Sequence, residues 1–579
     1  MPLTIHLNNH FNVEVLSHNL IVSQKNKQIY FALSDQYAEE LDERFQLAKV
    51  VSPIEHQANI LGDGFQMLAQ TGGTAERPID IGRCPDNNLS YRIYDIDSPK
   101  RFYNYLVIEQ SNGFTLYGFT SCRSFAGYFE IDKLGQDASV TAHIDGESVK
   151  AQDRTDKQLE SLCVLHGDTL EAVYQEYCIL INQNHQPRFG ITKAAPVGWC
   201  SWYAYYADVS EMDIRNNLKS MQGPLNDVEW VLLDDGYQAF MGDWLTPSDK
   251  FSNGVKELIA DIKSHGKKPA IWLAPFIAQP ESDLFQNHPD WFVRSFDGEL
   301  LKAEDVTYGG WRCTPWYILD TSHPEVQQHL EHVVKTMREE WGVELFKLDA
   351  NYWGTLKGSR FIKGVTGVEA YRLGMQAIAR GAGDGWLLGC NAPMWPSLGA
   401  VDAMRVSDDV ERRPERFEQI AKETFYRSWQ HRKLWQIDPD CVTLTSLANQ
   451  ATDRHSYEFH RDAILASAGL LLSGDPLPDM TKFALDTFNK LIERQKLNQQ
   501  STSFKSLSLN HAHLKLDEHS QLDCLFNFDT EAKEFTLTNE KPVHWYDYWS
   551  GNKLTTEPSS WLEVTISAGL SSKVILSKS

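Results

Sequence analysis

Paired cysteines, long hydrophobic runs and basic charge are what this sequence is short of. Its nine cysteines (Cys84, Cys122, Cys163, Cys178, Cys200, Cys313, Cys390, Cys441 and Cys524) stand singly, with no CxxC pair. A structural zinc site is therefore not expected. An odd count spread through a large chain gives no disulfide framework either. No stretch of about 18 apolar residues exists to span a bilayer. Met1 to Leu20 carries His, Asn and Glu where a signal peptide needs an apolar core. A reducing, cytoplasmic setting is the expectation. Lys and Arg number 55 against 78 Asp and Glu, a net charge of −23. Such a surface repels nucleic acid and anionic membranes and favours a neutral or cationic ligand. No low-complexity tract or short-period repeat occurs, which argues against a repeat architecture.

What is present is ordinary globular material. Hydrophobic residues make up 42% and charged residues 23%, and 579 residues call for several domains. The chain is rich in aromatics, with 17 Trp, 22 Tyr and 27 Phe. Core and sheet packing accounts for most of them; stacking on a flat apolar ligand face is the sharper reading. Residues 1–185 alternate in short runs typical of strands, among them Tyr91 to Tyr94, Tyr105 to Glu109 and Thr115 to Thr120, and predict a β-sandwich. Leu61 to Pro78, rich in Gly and Thr, reads as a long loop, and Leu170 to Ile181 as a helical connector. From Pro196 the pattern changes. Eight strand-like runs alternate with amphipathic stretches: Val197 to Trp202, Trp230 to Asp235, Ala270 to Phe276, Leu345 to Asp349, Trp386 to Asn391, Ala403 to Ser407, Leu434 to Ile437 and Leu470 to Ser473. They predict a (β/α)8 TIM barrel over 186–497, with little room for a helix between strands five and six. Residues 498–579 return to short strands and predict a small C-terminal antiparallel β domain.

In such a barrel the chemistry sits where strands end. Strand one delivers Trp202 and Tyr203, strand two Asp234 and Asp235, strand three Trp272. Strand four delivers Lys347 and Asp349, strand five Cys390 and Asn391, strand six Arg405, Asp408 and Asp409. A single Asp at a strand end is often only a helix cap. Two adjacent Asp are costlier and call for a cation or several hydroxyl donors. The strand ends lack His, which disfavours a metal, and Gly469 and Gly474 are too sparse for a phosphate loop. Two carboxyls flanking a glycosidic bond fit better. Asp349 supplies one; Asp408 and Asp409 both stand open for the other.

Gly198-Trp-Cys-Ser-Trp-Tyr203, Leu233-Asp-Asp-Gly-Tyr237 with Gly242-Asp-Trp244, Ile271-Trp-Leu-Ala-Pro-Phe276, His288-Pro-Asp-Trp291, Phe346-Lys-Leu-Asp349, Gly389-Cys390 and Arg405-Val-Ser-Asp-Asp409 run in order across the barrel. Together they resemble clan D α-galactosidases, most closely glycoside hydrolase family 36. The resemblance implies an N-terminal β-supersandwich before the barrel and a retaining mechanism with Asp349 as nucleophile. Its acid/base follows an Arg by four positions, which selects Asp409. Asp234 and Asp235 would bind the sugar's O4 and O6, and Trp272, Lys347, Cys390 and Arg405 would line the same subsite with Trp202 and Tyr203. Phe65-Gln66-Met67-Leu68 stands where relatives carry a Trp-Gln-Ser-Trp loop, so Phe65 is the counterpart expected to reach the sugar. The loop Asn391-Ala392-Pro393-Met394 lies where galactose and N-acetylgalactosamine differ. The expected substrate is an α-galactoside, with no cofactor and no metal; α-N-acetylgalactosaminidase and a raffinose-synthase-like transglycosidase are the alternatives. Lys347 should keep Asp349 ionised, Arg405 should orient hydroxyls, and neighbouring carboxylates should raise Asp409. A homo-oligomer, with a neighbouring subunit's N-terminal loop completing the site, is compatible with the sequence.

Overall fold

The computed structural model describes residues 40–154 and 159–579, and before residue 40 only the strands at 5–7, 12–16, 19–24 and 27–33. Part of the stretch read for a signal peptide therefore lies outside the described residues. A parallel eight-stranded sheet forms the centre: β1 (Val197–Cys200), β2 (Trp230–Leu233), β3 (Lys268–Leu273), β4 (Leu345–Leu348), β5 (Trp386–Gly389), β6 (Ala403–Arg405), β7 (Gln436–Asp438) and β8 (Leu471–Ser473). Strands pair in chain order, and β8 returns to β1 with Leu471 opposite Val197. Between β7 and β8 single hydrogen bonds replace a ladder: Leu470 N donates to Ile437 O at 2.9 Å and Val442 N to Leu472 O at 2.8 Å. The barrel is thus nearly closed. β4 is buried along its whole length, as a parallel strand covered on both faces must be. Its ladder stops before Asp349, as that of β2 stops before Asp234, so each strand hands its carboxylate to the loop.

The surrounding helices follow from stripe and cap. Val255–Ser264 buries Val255, Leu258, Ile259 and Ile262, an i, i+3, i+4, i+7 stripe. Each such side chain contributes about 1.5–3 kcal/mol by leaving water, so a charge at Leu258 would detach the helix. Glu211–Ser220 and Gly367–Ala382 begin at capping boxes, Ser210 with Asp213 and Thr366 with Glu369. Between β5 and β6 there is only a short turn at Trp395–Ser397, as the spacing predicts. No helix among the described residues is long and apolar enough to cross a membrane.

N-terminal to the barrel, thirteen described strands form one sheet around Phe102–Gln110. Two expectations change here. Leu61–Pro78 is not a loop throughout: Asn59–Asp63 and Gln70–Gly73 pair as a hairpin, and only 64–69 is free to reach the barrel. Tyr91–Tyr94 is a turn, not a strand. Asn88 Oδ1 accepts from Ser90 N and Tyr91 N, Arg92 takes a positive φ of 52°, and both tyrosines are buried as aromatic anchors. The C-terminal six-stranded sheet carries one long strand, Lys533–Asp547, among the short ones expected. Its first half pairs with Ser559–Ile566 and its second with Ser571–Lys578.

One buried ion pair joins the first sheet to the barrel. Arg427, on the helix Pro414–Arg427, donates to Asp63 Oδ1 at 2.7 and 3.0 Å and to the carbonyls of Met67 (2.5 Å) and Ala69 (3.0 Å). Both charged side chains are 0% exposed. The loop 64–69 is thereby clamped against the end of the barrel.

Candidate active site

Asp349 follows β4 directly, and Ala350 after it turns the chain with a left-handed φ of 52°. The Asp349 carboxylate is buried and accepts three hydrogen bonds. Trp272 Nε1 reaches Oδ2 at 2.9 Å; Asn391 Nδ2 and Ala350 N reach Oδ1 at 2.8 and 2.7 Å. Burial pushes its pKa up, while the Lys347 charge and these donors pull it back. Lys347, two residues earlier on the same strand face, places Nζ 2.8 Å from Asp234 Oδ2. Facing Asp234, Lys347 is held well above the ordinary lysine range and stays charged.

The two carboxylates after β2 differ. Asp234 has Lys347 and the Cys200 thiol, at 3.4 Å, as side-chain donors. Asp235 is saturated. Gln238 Nε2 and one arm of Arg312 meet Oδ1, and Arg312 Nε (2.7 Å) and Trp311 Nε1 (3.3 Å) meet Oδ2. Such a fork on a carboxylate is a strong, geometrically fixed pair. Arg312 and Trp311 come from the long excursion between β3 and β4. Sequence reading missed both, since no local pattern ties that loop to β2.

After β6, Asp408 and Asp409 also part company. Asp408 is buried and is held by Arg83 at 2.8 and 3.2 Å, by Arg416, and by Gln419 at 3.2 Å. The Asp409 side chain is 48% exposed, and Arg405, at 2.8 Å, is its ion-pair partner. Burial works to raise the Asp409 carboxyl, but the Arg405 and Lys347 charges outweigh it and hold it below the usual range. The expected upward shift is absent because the Arg405 and Lys347 charges outweigh burial. Arg405 is itself buried and serves Asp440 Oδ2 at 2.7 Å with the same nitrogen.

These groups meet on one pocket. Asp349, Asp408, Asp409, Asp234, Asp235 and Lys347 line it, with Trp202, Trp272 and Asn391. The excursion after β3 adds Tyr308 and Trp311, and the N-terminal sheet adds Leu68, Arg83 and Tyr91. Four expected residues sit elsewhere. Cys390 is buried beneath, with Arg405 NH1 3.7 Å from its sulfur. Tyr203 is buried and donates its hydroxyl to Asp440 at 2.5 Å. Arg405 lies in the floor, against carboxylates, and not on the wall. Phe65 faces a neighbouring cavity, edge-on to Tyr103 and Tyr352, and Leu68 stands on the pocket wall from the same loop. That loop pairs with the one after β5: Met67 N donates to Ala392 O at 3.0 Å and Met394 N to Phe65 O at 2.9 Å. Among the described residues no group of three His, Cys, Asp or Glu is arranged to hold a metal ion.

Residues 159–381 match the Melibiase family model, a span that holds Asp234, Asp235, Trp272, Lys347 and Asp349 and stops before Arg405 and Asp409. The alpha-galactosidase of Escherichia coli is 32% identical over 134 residues, 22% of this chain and 18% of that protein. Alpha-galactosidase AgaA of Geobacillus stearothermophilus is 31% identical over 195 residues, 30% of this chain and 25% of that protein. The matched stretches thus span about a fifth to a quarter of these curated relatives. The solved structure of AgaA, described as a GH36 α-galactosidase, superposes with a TM-score of 0.63 at 13% identity, over 99% of this chain and 85% of that one. TtGalA, the α-galactosidase from Thermus thermophilus in complex with p-nitrophenyl α-D-galactopyranoside, gives 0.65 at 20% identity, over 87% and 97%. These superpositions show a shared fold.

Proposed function

We propose that this chain is a retaining, exo-acting α-galactosidase of glycoside hydrolase family 36, releasing terminal α-linked galactose from oligosaccharides such as melibiose or raffinose. The observation that carries the reading is the contrast between two carboxylates on one pocket. Asp349 is buried, fixed by three donors and unable to turn; Asp409 is half-exposed and held by one arginine. A nucleophile needs the first setting and an acid/base the second. Asp408, tied to two arginines, is a poor proton carrier.

In the first step an Asp349 oxygen bonds to the anomeric carbon as the bond to the leaving oxygen breaks, and Asp409 gives that oxygen its proton. Oδ2, with one donor against two on Oδ1, has the freer lone pair. Asp409 then takes a proton from water as the water oxygen bonds to the anomeric carbon and the bond from that carbon to Asp349 breaks, which releases the sugar with retained configuration. Arrival of the sugar strips water from the half-exposed Asp409, and this desolvation drives its pKa up toward the protonated form the first step needs. Asp234 and Lys347 offer an acceptor and a donor to the ring hydroxyls, and Trp311, Tyr308 and Tyr91 offer flat faces. The loop after Cys390 is stitched to residues 65–67 by two backbone hydrogen bonds, and a wall fixed in this way favours galactose over the bulkier N-acetyl sugar.

The test is hydrolysis of the nitrophenyl α-glycosides of galactose and N-acetylgalactosamine side by side, with Asp349→Ala as blank. Release from the galactoside, with the α-anomer seen first by proton NMR, is the expected result. Release from the N-acetyl sugar alone would overturn the substrate, and a β-anomer first would overturn the mechanism. Activity retained by Asp349→Ala would remove the nucleophile.

A further inference from the structure

Asp440 belongs to none of the motifs above, yet it is a buried carboxylate that shares the Arg405 guanidinium nitrogen with Asp409. It stands two residues beyond β7, 3% exposed in its side chain. Its backbone takes the left-handed φ of 72°, and its N–H donates to Asp438 Oδ1 at 3.0 Å. One oxygen, Oδ2, accepts three donors: Tyr203 Oη at 2.5 Å, Arg405 NH2 at 2.7 Å and Val410 N at 2.7 Å. The last ties Asp440 to the backbone of the residue after Asp409. The second ties it to the guanidinium nitrogen that also holds Asp409 Oδ1 at 2.8 Å. Among the described residues Arg405 Nε has no hydrogen-bond partner, and NH2 carries both ion pairs.

We propose that Asp440 is a positioning residue for Asp409: by sharing the Arg405 charge and pinning the Val410 backbone, it keeps Asp409 able to carry the proton the reaction needs. The proposal rests on the acid/base role given to Asp409. An isolated Arg405–Asp409 pair would lock Asp409 as a permanent anion, useless as an acid. A second carboxylate on the same nitrogen divides that hold and sets a second acid beside Asp409. Burial pushes Asp440 itself up to about 6, so the two acids and Arg405 share protons as one unit. The groups facing it are Arg405 and Asp409 from β6 and its loop, Tyr203 from the loop after β1, and Asp438 from its own strand; Cys441 lies beside it. Lys347, on β4, acts on Asp409 and Asp438.

Asp440→Asn keeps the shape and removes the charge. Asp409 should then be held lower by an undivided Arg405. Because Asp409 acts protonated, the basic limb of kcat/KM should move to lower pH by about one unit, a tenfold loss on that limb. The loss should fall on melibiose and the 4-nitrophenyl galactoside. A 2,4-dinitrophenyl galactoside, whose leaving group needs no proton, should be hydrolysed within about twofold of wild type. Asp440→Glu keeps the charge and should leave the basic limb in place, which also decides the matter should the amide variant not fold. A pH-independent loss on all substrates in Asp440→Asn, or a limb displaced as far by Glu as by Asn, would overturn the proposal. The parent reading is tested separately by Asp409→Ala. If that variant keeps full activity on melibiose, the acid/base assignment falls, whatever Asp440 does.

Discussion

Replacing Trp272 by Phe takes one donor from the Asp349 carboxylate and keeps an aromatic ring in the wall. Trp272 is 1% exposed and packs edge-on against Trp244 at 5.8 Å and Trp311 at 6.5 Å. Its Nε1 is the one hydrogen-bond donor to Oδ2, and Oδ1 keeps Asn391 and Ala350. A hydrogen bond to a charged group nets about 1.5–3 kcal/mol. At about 1.36 kcal/mol per pKa unit, its loss should raise Asp349 by roughly one to two units. Burial already holds this carboxyl above its ordinary value, so the change adds to a shift in the same direction. Asp349 must be ionised to attack, so its titration forms the acid limb of kcat/KM, and that limb should move up by the same one to two units. On the plateau above it the loss should stay within about tenfold, since two donors still fix the carboxylate. The smaller ring leaves a void costing about 1–2 kcal/mol of stability, read as a modest fall in Tm. The assay is kcat/KM for 4-nitrophenyl α-galactoside from pH 3 to 9. An acid limb that stays put, with activity reduced equally at every pH, would mean that Trp272 serves the sugar and not the nucleophile.

Asp409→Asn should lower kcat on melibiose by about 10²–10⁴. Asp408→Asn should leave kcat within about tenfold and, by taking one carboxylate from Arg83 and from Arg416, which keeps Glu411, cost about 1–3 kcal/mol of stability; equal kinetic losses in the two would undo their separation. Lys347→Met strands Asp234 without its cation and removes the main charge that lowers Asp349. A raised acid limb together with a lower denaturation midpoint is expected, and an unmoved limb would contradict the electrostatic role. Arg427→Met leaves Asp63 buried and unpaired at a cost of about 3–5 kcal/mol, and adding Asp63→Leu should recover most of it. A double variant no more stable than the single would show that the pair is not the clamp.

The barrel was legible because a parallel strand buried on both faces is an apolar run, and because each run ends on a polar residue such as Asp349 or Asp234. Strand ends carry their chemistry in adjacent positions, so one pass along the chain collects it. Ion pairs across the fold leave no such trace. Arg83 and Arg312 sit in loops whose partners are 325 and 77 residues away, and their composition does not distinguish them from surface arginines. Phe65 lines the neighbouring cavity for a smaller reason: a four-residue match fixes the loop but not which side chain faces the pocket, and Leu68 does. Asp440 escaped because the seventh apolar run ends at Ile437, while this carboxylate lies past a proline on a turn. The charge on Asp409 was misjudged by counting acids nearby without knowing how Arg405 divides itself.

The clamp of Arg427 on residues 63–69 makes the pocket a joint product of two parts of the chain. Leu68, Arg83 and Tyr91 stand on its wall, and all three fold with the N-terminal sheet. A barrel excised on its own would keep Asp349 and Asp409 and lose that part of the wall. On the proposed reading, exchanging the first 185 residues between relatives should change which oligosaccharides enter, provided that the Asp63–Arg427 pair and the Arg83 contact to Asp408 are carried with them.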